Sequence, residues 1–215
     1  MIRENIRRIR GEIGETELIV VSKTRSLTEL NEVYESGERH FAENRVQALL
    51  ERIDQLPDDI HWHLIGHLQT NKVRSVLPHV VLIHSVDSFK LLDVIEKESQ
   101  RLGKQTSVLL QIKVATDDSK YGFDPKELLN QVLEGALRQY KWISFRGVMS
   151  MTTLDADQIQ KANEFKQTKE WMDKLRPLIP EPDQFQICSM GMSDDYLLAI
   201  EQGSTHVRIG SRLFQ

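Results

Sequence analysis

A single cysteine, Cys188, is present in 215 residues, so no intramolecular disulfide can form. A reducing compartment is the natural setting for such a chain, and the cytoplasm is the expected location. Long apolar runs are missing too, and nothing approaches the ~20 residues needed to cross a bilayer. Charge of one sign is nowhere concentrated: 28 Lys and Arg stand against 32 Asp and Glu, for a net charge of −4. Neither nucleic acid nor a membrane surface is therefore an expected partner. The first ten residues are basic, but Glu4 interrupts them and apolar residues alternate with charged ones. That pattern fits neither a secretory signal nor a transit peptide. There is no linker, low-complexity tract or short-period repeat. The length suits one well-buried domain spanning residues 1–215.

What the chain does have is alternation. Ile2, Ile6, Ile9 and Ile13 recur at steps of four, three and four, one face of an amphipathic helix. Short apolar runs predict strands at 17–22, 40–42, 62–65, 80–84, 107–114, 143–149, 184–188 and 206–209. Helical patterns fall between them: 27–36 stopped by Gly37, 44–55 halted by Pro57 and 70–77 by Pro78, then 91–102 closed by Gly103. Further helices are expected over 128–137, 159–175 before Pro177, and 194–202. Strands alternating with helices give a parallel sheet with right-handed crossovers. Continuous apolar strands are what a sheet covered on both faces requires. The expected fold is α/β, a single (β/α)8 TIM barrel with an extra N-terminal helix. No helix is expected after the last strand, and the spare N-terminal helix can cover that gap. An open, doubly wound sheet is the alternative.

The late segments carry the first chemical signal. Ser189-Met190-Gly191-Met192-Ser193 and Gly203-Ser204-Thr205-His206-Val207-Arg208-Ile209-Gly210-Ser211 each read as an apolar strand running into small, hydrogen-bonding residues. Glycine-freed N–H groups, serine hydroxyls and a helix start can surround a phosphate. In a (β/α)8 barrel the phosphate site commonly follows strands 7 and 8. Lys23 follows the first strand, beside that cradle once a barrel closes. A lysine amine at such a mouth can form a Schiff base with an aldehyde, although a solvated loop lysine is the simpler reading. A ligand bearing both a phosphate and an aldehyde satisfies both sites, and pyridoxal 5′-phosphate is that ligand. Arg208 on the last strand is placed to meet its pyridine nitrogen. An arginine donates only, so the nitrogen stays unprotonated and the ring is a weak electron sink. The simpler reading of Arg208 is a surface arginine paired with a carboxylate.

Other residues invite weaker readings. His61, His63 and His67 suggest a metal site, but no cysteine or carboxylate completes a tetrahedral set, and structural histidines are commoner. Cys188 reads as a small core residue rather than a redox centre. Asp117-Asp118 with Lys120-Tyr121-Gly122 reads as a solvated turn or a ligand-gating loop. Trp62 and Trp142 are expected to pack the core or its rim.

Six segments together resemble the YggS/PROSC family of pyridoxal phosphate homeostasis proteins, over essentially the whole chain. They are Val20-Val21-Ser22-Lys23-Thr24, Phe41-Ala42-Glu43-Asn44-Arg45-Val46-Gln47 and Trp62-His63-Leu64-Ile65-Gly66-His67-Leu68-Gln69-Thr70-Asn71-Lys72. The others are Arg146-Gly147-Val148-Met149, Ser189-Met190-Gly191-Met192-Ser193 and Val207-Arg208-Ile209-Gly210. Each is short; their joint occurrence in order is specific. The resemblance implies a barrel like the N-terminal domain of alanine racemase, with the Schiff base on Lys23. It implies phosphate contacts from Ser189, Met190, Gly210 and Ser211, Arg208 at the pyridine nitrogen and Asn44 against the ring. The implied role is balance of vitamin B6 and of amino and keto acids, without established catalysis. Apo-enzymes that use pyridoxal phosphate are the candidate recipients, and with no dimerising second domain in view a monomer is expected.

Three positions depart from the family pattern. Ala42 stands where glycine is usual, Lys113 where asparagine is, and Ser150-Met151-Thr152-Thr153 lacks a common proline. None of them is expected to touch Lys23, Arg208 or the phosphate loops. Two enzyme readings compete with a binding protein. A racemase or lyase needs a second acid/base on the face of the ring opposite the lysine. The chain ends after the barrel, so only Tyr121 and Tyr196 offer themselves. A phosphosugar-type barrel enzyme would want carboxylates or histidines at strand ends, where Glu43 and His84 are the clearest.

Overall fold

The computed structural model describes residues 1–116 and 121–215. Among these, eight parallel strands close into a barrel in sequence order. They are β1 (Glu17–Val21), β2 (His40–Glu43), β3 (His61–Leu64), β4 (Leu82–Val86), β5 (Thr106–Gln111), β6 (Ile143–Met149), β7 (Ile187–Met192) and β8 (His206–Ile209). Closure is made by β8 against β1, with Leu18 opposite Val207 and Val20 opposite Ile209. Around the barrel run α1 (Ile2–Ile13), α2 (Leu27–Glu35), α3 (Val46–Ile53), α4 (Val73–Val76), α5 (Phe89–Leu102), α6 (Pro125–Leu133), α7 (Gln158–Leu175), α8 (Tyr196–Glu201) and α9 (Ser211–Phe214).

Local chemistry sets the helix ends. Ser26 and Glu29 form a reciprocal capping box at the start of α2. Ser88, Asp124 and Asp157 cap α5, α6 and α7 with side-chain oxygens. Gly103 closes α5 in the left-handed conformation. The four isoleucines of α1 are all buried, as their spacing requires. They pack α1 over β1, α2, α8 and α9, and Asn5 Nδ2 donates to the carbonyls of Leu213 and Gln215. The N-terminal helix thus covers the closing seam.

Besides shifted ends, such as β4 at Leu82–Val86 and β5 at Thr106–Gln111, and an expected helix over 70–77 that narrows to α4 between two 3-10 turns, the structure differs from expectation in four places. A short helix, α9, does follow the last strand, with Leu213 and Phe214 buried against the core. The stripe over 128–137 breaks at Gly135, whose φ of 87° turns the chain into a separate 3-10 turn. Ile159, counted toward the α7 stripe, points to solvent and is 75 % exposed. The largest shift is in β7, which starts at Ile187 and runs through Met192. Ser189 and Met190 are therefore strand residues, both fully buried, rather than loop residues. Small polar residues read as a loop when nothing in the sequence reveals the partners that satisfy them inside.

Those partners lie within the barrel. Side chains alternate along each strand. One set, including Leu18, Val20, Phe41, Trp62, Leu64 and Val207, packs outward under the helices in the main core. A separate small cluster of Leu82, Leu109 and Met149, with Ile187 against it, fills part of the interior. The rest of the interior is polar. His40 Nδ1 lies 2.9 Å from His63 Nε2, His63 Nδ1 lies 2.9 Å from His84 Nε2, and His84 Nδ1 lies 3.0 Å from Ser189 Oγ. His84 is on β4 and Ser189 on β7, so this file of rings crosses the barrel. At its outer end His61 Nδ1 faces His40 Nε2 at 3.4 Å.

Two expected outcomes follow. Gly147 on β6 has a φ of 152°, and a Cβ there would fall 1.8 Å from the Ile187 carbonyl oxygen of the neighbouring strand. Gly147→Ala should cost on the order of 3 kcal/mol or more, read as a lower urea midpoint. The second concerns pH. Burial holds His63 and His84 well below the usual imidazole value and takes His206 down to about 4. His40 is also lowered by burial, against the pull of Glu17 and Glu38, with His61 and Arg10 adding to the lowering. The positive charge of Arg208 faces His84 and further disfavours its protonation. The folded state therefore binds fewer protons than the unfolded chain below about pH 6.5, and stability falls with acid. His63 and His84 should each cost about 1.4 kcal/mol per pH unit below that point. Urea midpoints at pH 7.0, 6.0 and 5.0 should decline stepwise; equal midpoints would contradict the account.

Candidate functional site

A cavity of about 490 Å³ opens at the C-terminal ends of the strands. Lys23 and Thr24 reach it from the turn after β1, Asn44 from the end of β2, and Gly66 and His67 from the end of β3. Gln111 contributes from β5, Met192 and Ser193 from the end of β7, and Arg208, Gly210 and Ser211 from the end of β8. Five of the expected site residues are therefore brought together: Lys23, Asn44, Arg208, Gly210 and Ser211. Ser189 and Met190 are not in the lining; the Ser189 hydroxyl sits beneath it, bonded to Arg208 and His84. Met192 and Ser193, two to four residues further along the same segment, line the cavity instead.

Each of these residues is placed by a specific local constraint. Lys23 is exposed, in a tight turn whose next residue, Thr24, has a φ of 63°. The turn is gripped from α3: Arg52 Nη2 donates to the carbonyls of Ser22 and Arg25, at 3.0 Å each. Arg52 is itself fixed by an ion pair of 2.6 Å to buried Glu43, which also accepts from Ser22 Oγ at 2.7 Å. Asn44 is positioned by close backbone approach, since a Cβ on Gly66 would fall 2.1 Å from the Asn44 carbonyl oxygen. Gly191, with a φ of 91°, lets α8 lie directly on β7; a Cβ there would meet Ala199 Cβ at 2.6 Å. At the other end the Gly210 N–H donates to Ser193 Oγ, and Asp195 Oδ1 accepts from the Met192 N–H. The short helix α9 begins at Ser211 at that same end, with the Leu213 N–H donating back to the Gly210 carbonyl at 2.9 Å.

Arg208 forms the floor. Its side chain is 4 % exposed, and Nη1 donates to Ser189 Oγ at 2.8 Å while Nη2 donates to the Ser150 carbonyl at 2.9 Å. Burial pulls its guanidinium down to about 10, which leaves it charged at neutral pH. The Ser150 contact corrects the expectation that the segment after β6 stays clear of Arg208; Met151 also lines the cavity. The other two departures are more remote. Ala42 is a regular strand residue without a positive φ, and Lys113 is exposed and outside the lining.

His67 and Tyr121 complete the rim. His67 Nδ1 lies 2.9 Å from Asp87 Oδ2, and its ring stacks on Tyr121 at 4.0 Å between centroids. The sequence suggests a metal or structural role for His67, not this rim contact. Its membership of the Gly66-His67-Leu68-Gln69 motif, at a strand end, was the available signal. Among the described residues no group of three or more His, Cys, Asp and Glu is arranged for a metal. His61 and His63 belong to the interior file instead. Glu43 is held by Arg52, and His84 by His63 and Ser189. The Tyr196 hydroxyl bonds to Glu12 and Arg212, and Tyr196 lines a different pocket from Lys23. Cys188 is buried and its thiol is pushed up to about 12, as suits an inert core residue. Trp62 packs in the core as expected. Asp117, Asp118 and Lys120 lie outside the described residues.

The arrangement offers a primary amine at one side, a fixed cation on the floor, and hydroxyls with a helix start at the other side. That donor set suits a small molecule with a carbonyl at one end and an anionic group at the other. Comparison with known proteins agrees. Residues 1–215 match the family described as alanine racemase, N-terminal domain. The human pyridoxal phosphate homeostasis protein is 36 % identical over 208 residues, covering 92 % of this chain and 75 % of its own. That of Pasteurella multocida is 32 % identical over 200 residues, covering 92 % and 84 %. PipY of Synechococcus elongatus, solved with pyridoxal phosphate bound, is 33 % identical and superposes with a TM-score of 0.90 over 100 % of both chains. An alanine racemase from Clostridium difficile, 16 % identical with a TM-score of 0.77, shares the fold over 99 % of this chain and 56 % of its own. The chain belongs to the alanine racemase N-terminal domain family, and within it to the pyridoxal phosphate homeostasis proteins.

Proposed function

We propose that this barrel binds pyridoxal 5′-phosphate, holds it covalently on Lys23 and serves in intracellular vitamin B6 homeostasis rather than in turnover of a substrate. The observation that carries this reading is one cavity shared by Lys23, the buried Arg208 and the Ser193–Ser211 end. The names of the relatives and the bound ligand of PipY support it. The residues present fit the ligand. Lys23 supplies the amine for the aldehyde carbon, with water as the leaving product. Ser193 and Ser211 supply hydroxyl and N–H donors for the phosphate, Gly210 holds the Ser193 hydroxyl in place through its N–H, and Ser189 and Met190 act from beneath through the shape of β7. Asn44 lies at the wall for the ring. Arg208 donates to the ring nitrogen and cannot hand it a proton. When bound, pyridoxal phosphate supplies an electrophilic carbon and an electron sink, which this guanidinium weakens. The barrel, residues 1–215 acting as one domain, works as a cytoplasmic monomer that passes the ligand to apo-enzymes requiring it.

A second reading, racemisation at the same linkage, has one observation in its favour: the His67–Asp87 pair stacked with Tyr121 at the rim. It requires a group that moves the substrate's Cα proton. In D2O, L-alanine incubated with the loaded protein should then exchange its Cα hydrogen, and His67→Ala should stop the exchange. The carrier reading expects no exchange with either protein.

Lys23→Ala should abolish covalent attachment and leave the fold unchanged. The check is absorbance before and after borohydride, peptide mapping of the pyridoxyl group, and circular dichroism. Trapping at another lysine in the variant would remove Lys23 from its role. A wild-type protein that stays colourless with added pyridoxal phosphate would overturn the reading itself.

A further inference from the structure

The file of rings inside the barrel has a direction, and Arg208 sets it. A guanidinium only donates, so Ser189 Oγ accepts from Arg208 Nη1. The same oxygen faces His84 Nδ1 at 3.0 Å, and Ser189 is fully buried. Were His84 Nδ1 the donor, Ser189 would accept twice and its own proton would be left facing neither partner, a buried donor without an acceptor. Ser189 therefore donates to His84 Nδ1, and the ring proton of His84 sits on Nε2. From there it points at His63 Nδ1, and the His63 proton in turn points from Nε2 at His40 Nδ1. His40 Nε2 then faces His61 Nδ1. One cation at the cavity floor thus fixes the tautomer of each ring behind it.

We propose that His84 is a positioning residue for Arg208: by taking the Ser189 proton it keeps the serine lone pairs turned to the guanidinium and aims that group at the ring nitrogen of the ligand. The ligand part of this statement rests on the function proposed above; the direction of the file does not. Two further observations support it. The other part of the interior is filled by Leu82, Leu109 and Met149, so polar rings are not what filling a barrel requires. The rings also lie under the cation and end on it. Burial keeps His63 and His84 neutral, as a file with one direction needs; a charged His84 would have to donate at both nitrogens.

The test has two arms. In the ligand-free protein, ¹⁵N-detected NMR of the imidazole nitrogens should show His63 and His84 as neutral Nε2–H tautomers at pH 7. An Nδ1–H or doubly protonated His84 would overturn the proposal without touching the question of ligand binding. The second arm uses His84→Leu, which removes the acceptor, and His84→Asn, whose side-chain oxygen replaces it. With added pyridoxal phosphate, His84→Leu should still be trapped on Lys23 by borohydride, with a shifted absorbance maximum and roughly tenfold weaker affinity. His84→Asn should restore both. A folded His84→Leu protein with wild-type spectrum and affinity would overturn the proposal. If His84→Leu does not fold, the wild-type tautomers and the spectrum of His84→Asn decide: a wild-type spectrum supports the role, and a shifted one counts against it. Failure of the wild-type protein to take up pyridoxal phosphate would strike the proposed function and leave the tautomer result standing.

Discussion

A charged guanidinium buried at the floor of a cavity is the constraint on which most of this barrel turns. Removing such a charge from water is costly unless every donor it carries is met. Arg208 is met by the Ser189 hydroxyl and the Ser150 carbonyl, and these come from β7 and from the segment after β6. Meeting it from Ser189 obliges that serine to be inside the barrel, and β7 to continue as strand for residues that look like loop. It also calls for an acceptor beyond the serine. The histidines of β2, β3 and β4 provide one in series, so a polar path across the interior follows from one side chain. No buried side-chain nitrogen or oxygen among the described residues lacks a partner.

The cavity above that floor is made by backbones brought closer than side chains allow. Gly66 against Asn44, Gly147 against Ile187 and Gly191 against Ala199 each mark a place where one methyl group would push strands or helices apart. Two of these glycines, Gly66 and Gly191, sit at or near strand ends that form the cavity wall. They set the distance between the strand ends, and the functional side chains inherit that distance.

Much of this was legible in the sequence. Isoleucines at steps of four, three and four mark α1, and Gly103 marks the end of α5. The run over 143–149 is β6 residue for residue. The alternation of strand and helix, with small-residue segments late in the chain, pointed to a closed barrel and to which end of it carries the chemistry. Lys23, Asn44, Arg208, Gly210 and Ser211 were brought to one cavity as expected. What was not legible depended on partners distant in sequence. Ser189 reads as a loop hydroxyl until Arg208 and His84, 19 and 105 residues away, are seen to take it up. The histidine file joins four strands, and its members look like scattered polar residues at uninformative spacings. His67 reads as one of three histidines with a metal or structural role, because its partners Asp87 and Tyr121 are 20 and 54 positions further along the chain.

The grip of Arg52 on the turn after β1 has one more consequence. It acts on the carbonyl oxygens of Ser22 and Arg25, atoms that every residue possesses. The grip itself therefore reads no side chain of the turn. The lysine between the gripped carbonyls is thus aimed by main-chain atoms, held from a helix that lies outside the turn. The mouth of the cavity is in this sense a main-chain frame clamped from outside by one arginine.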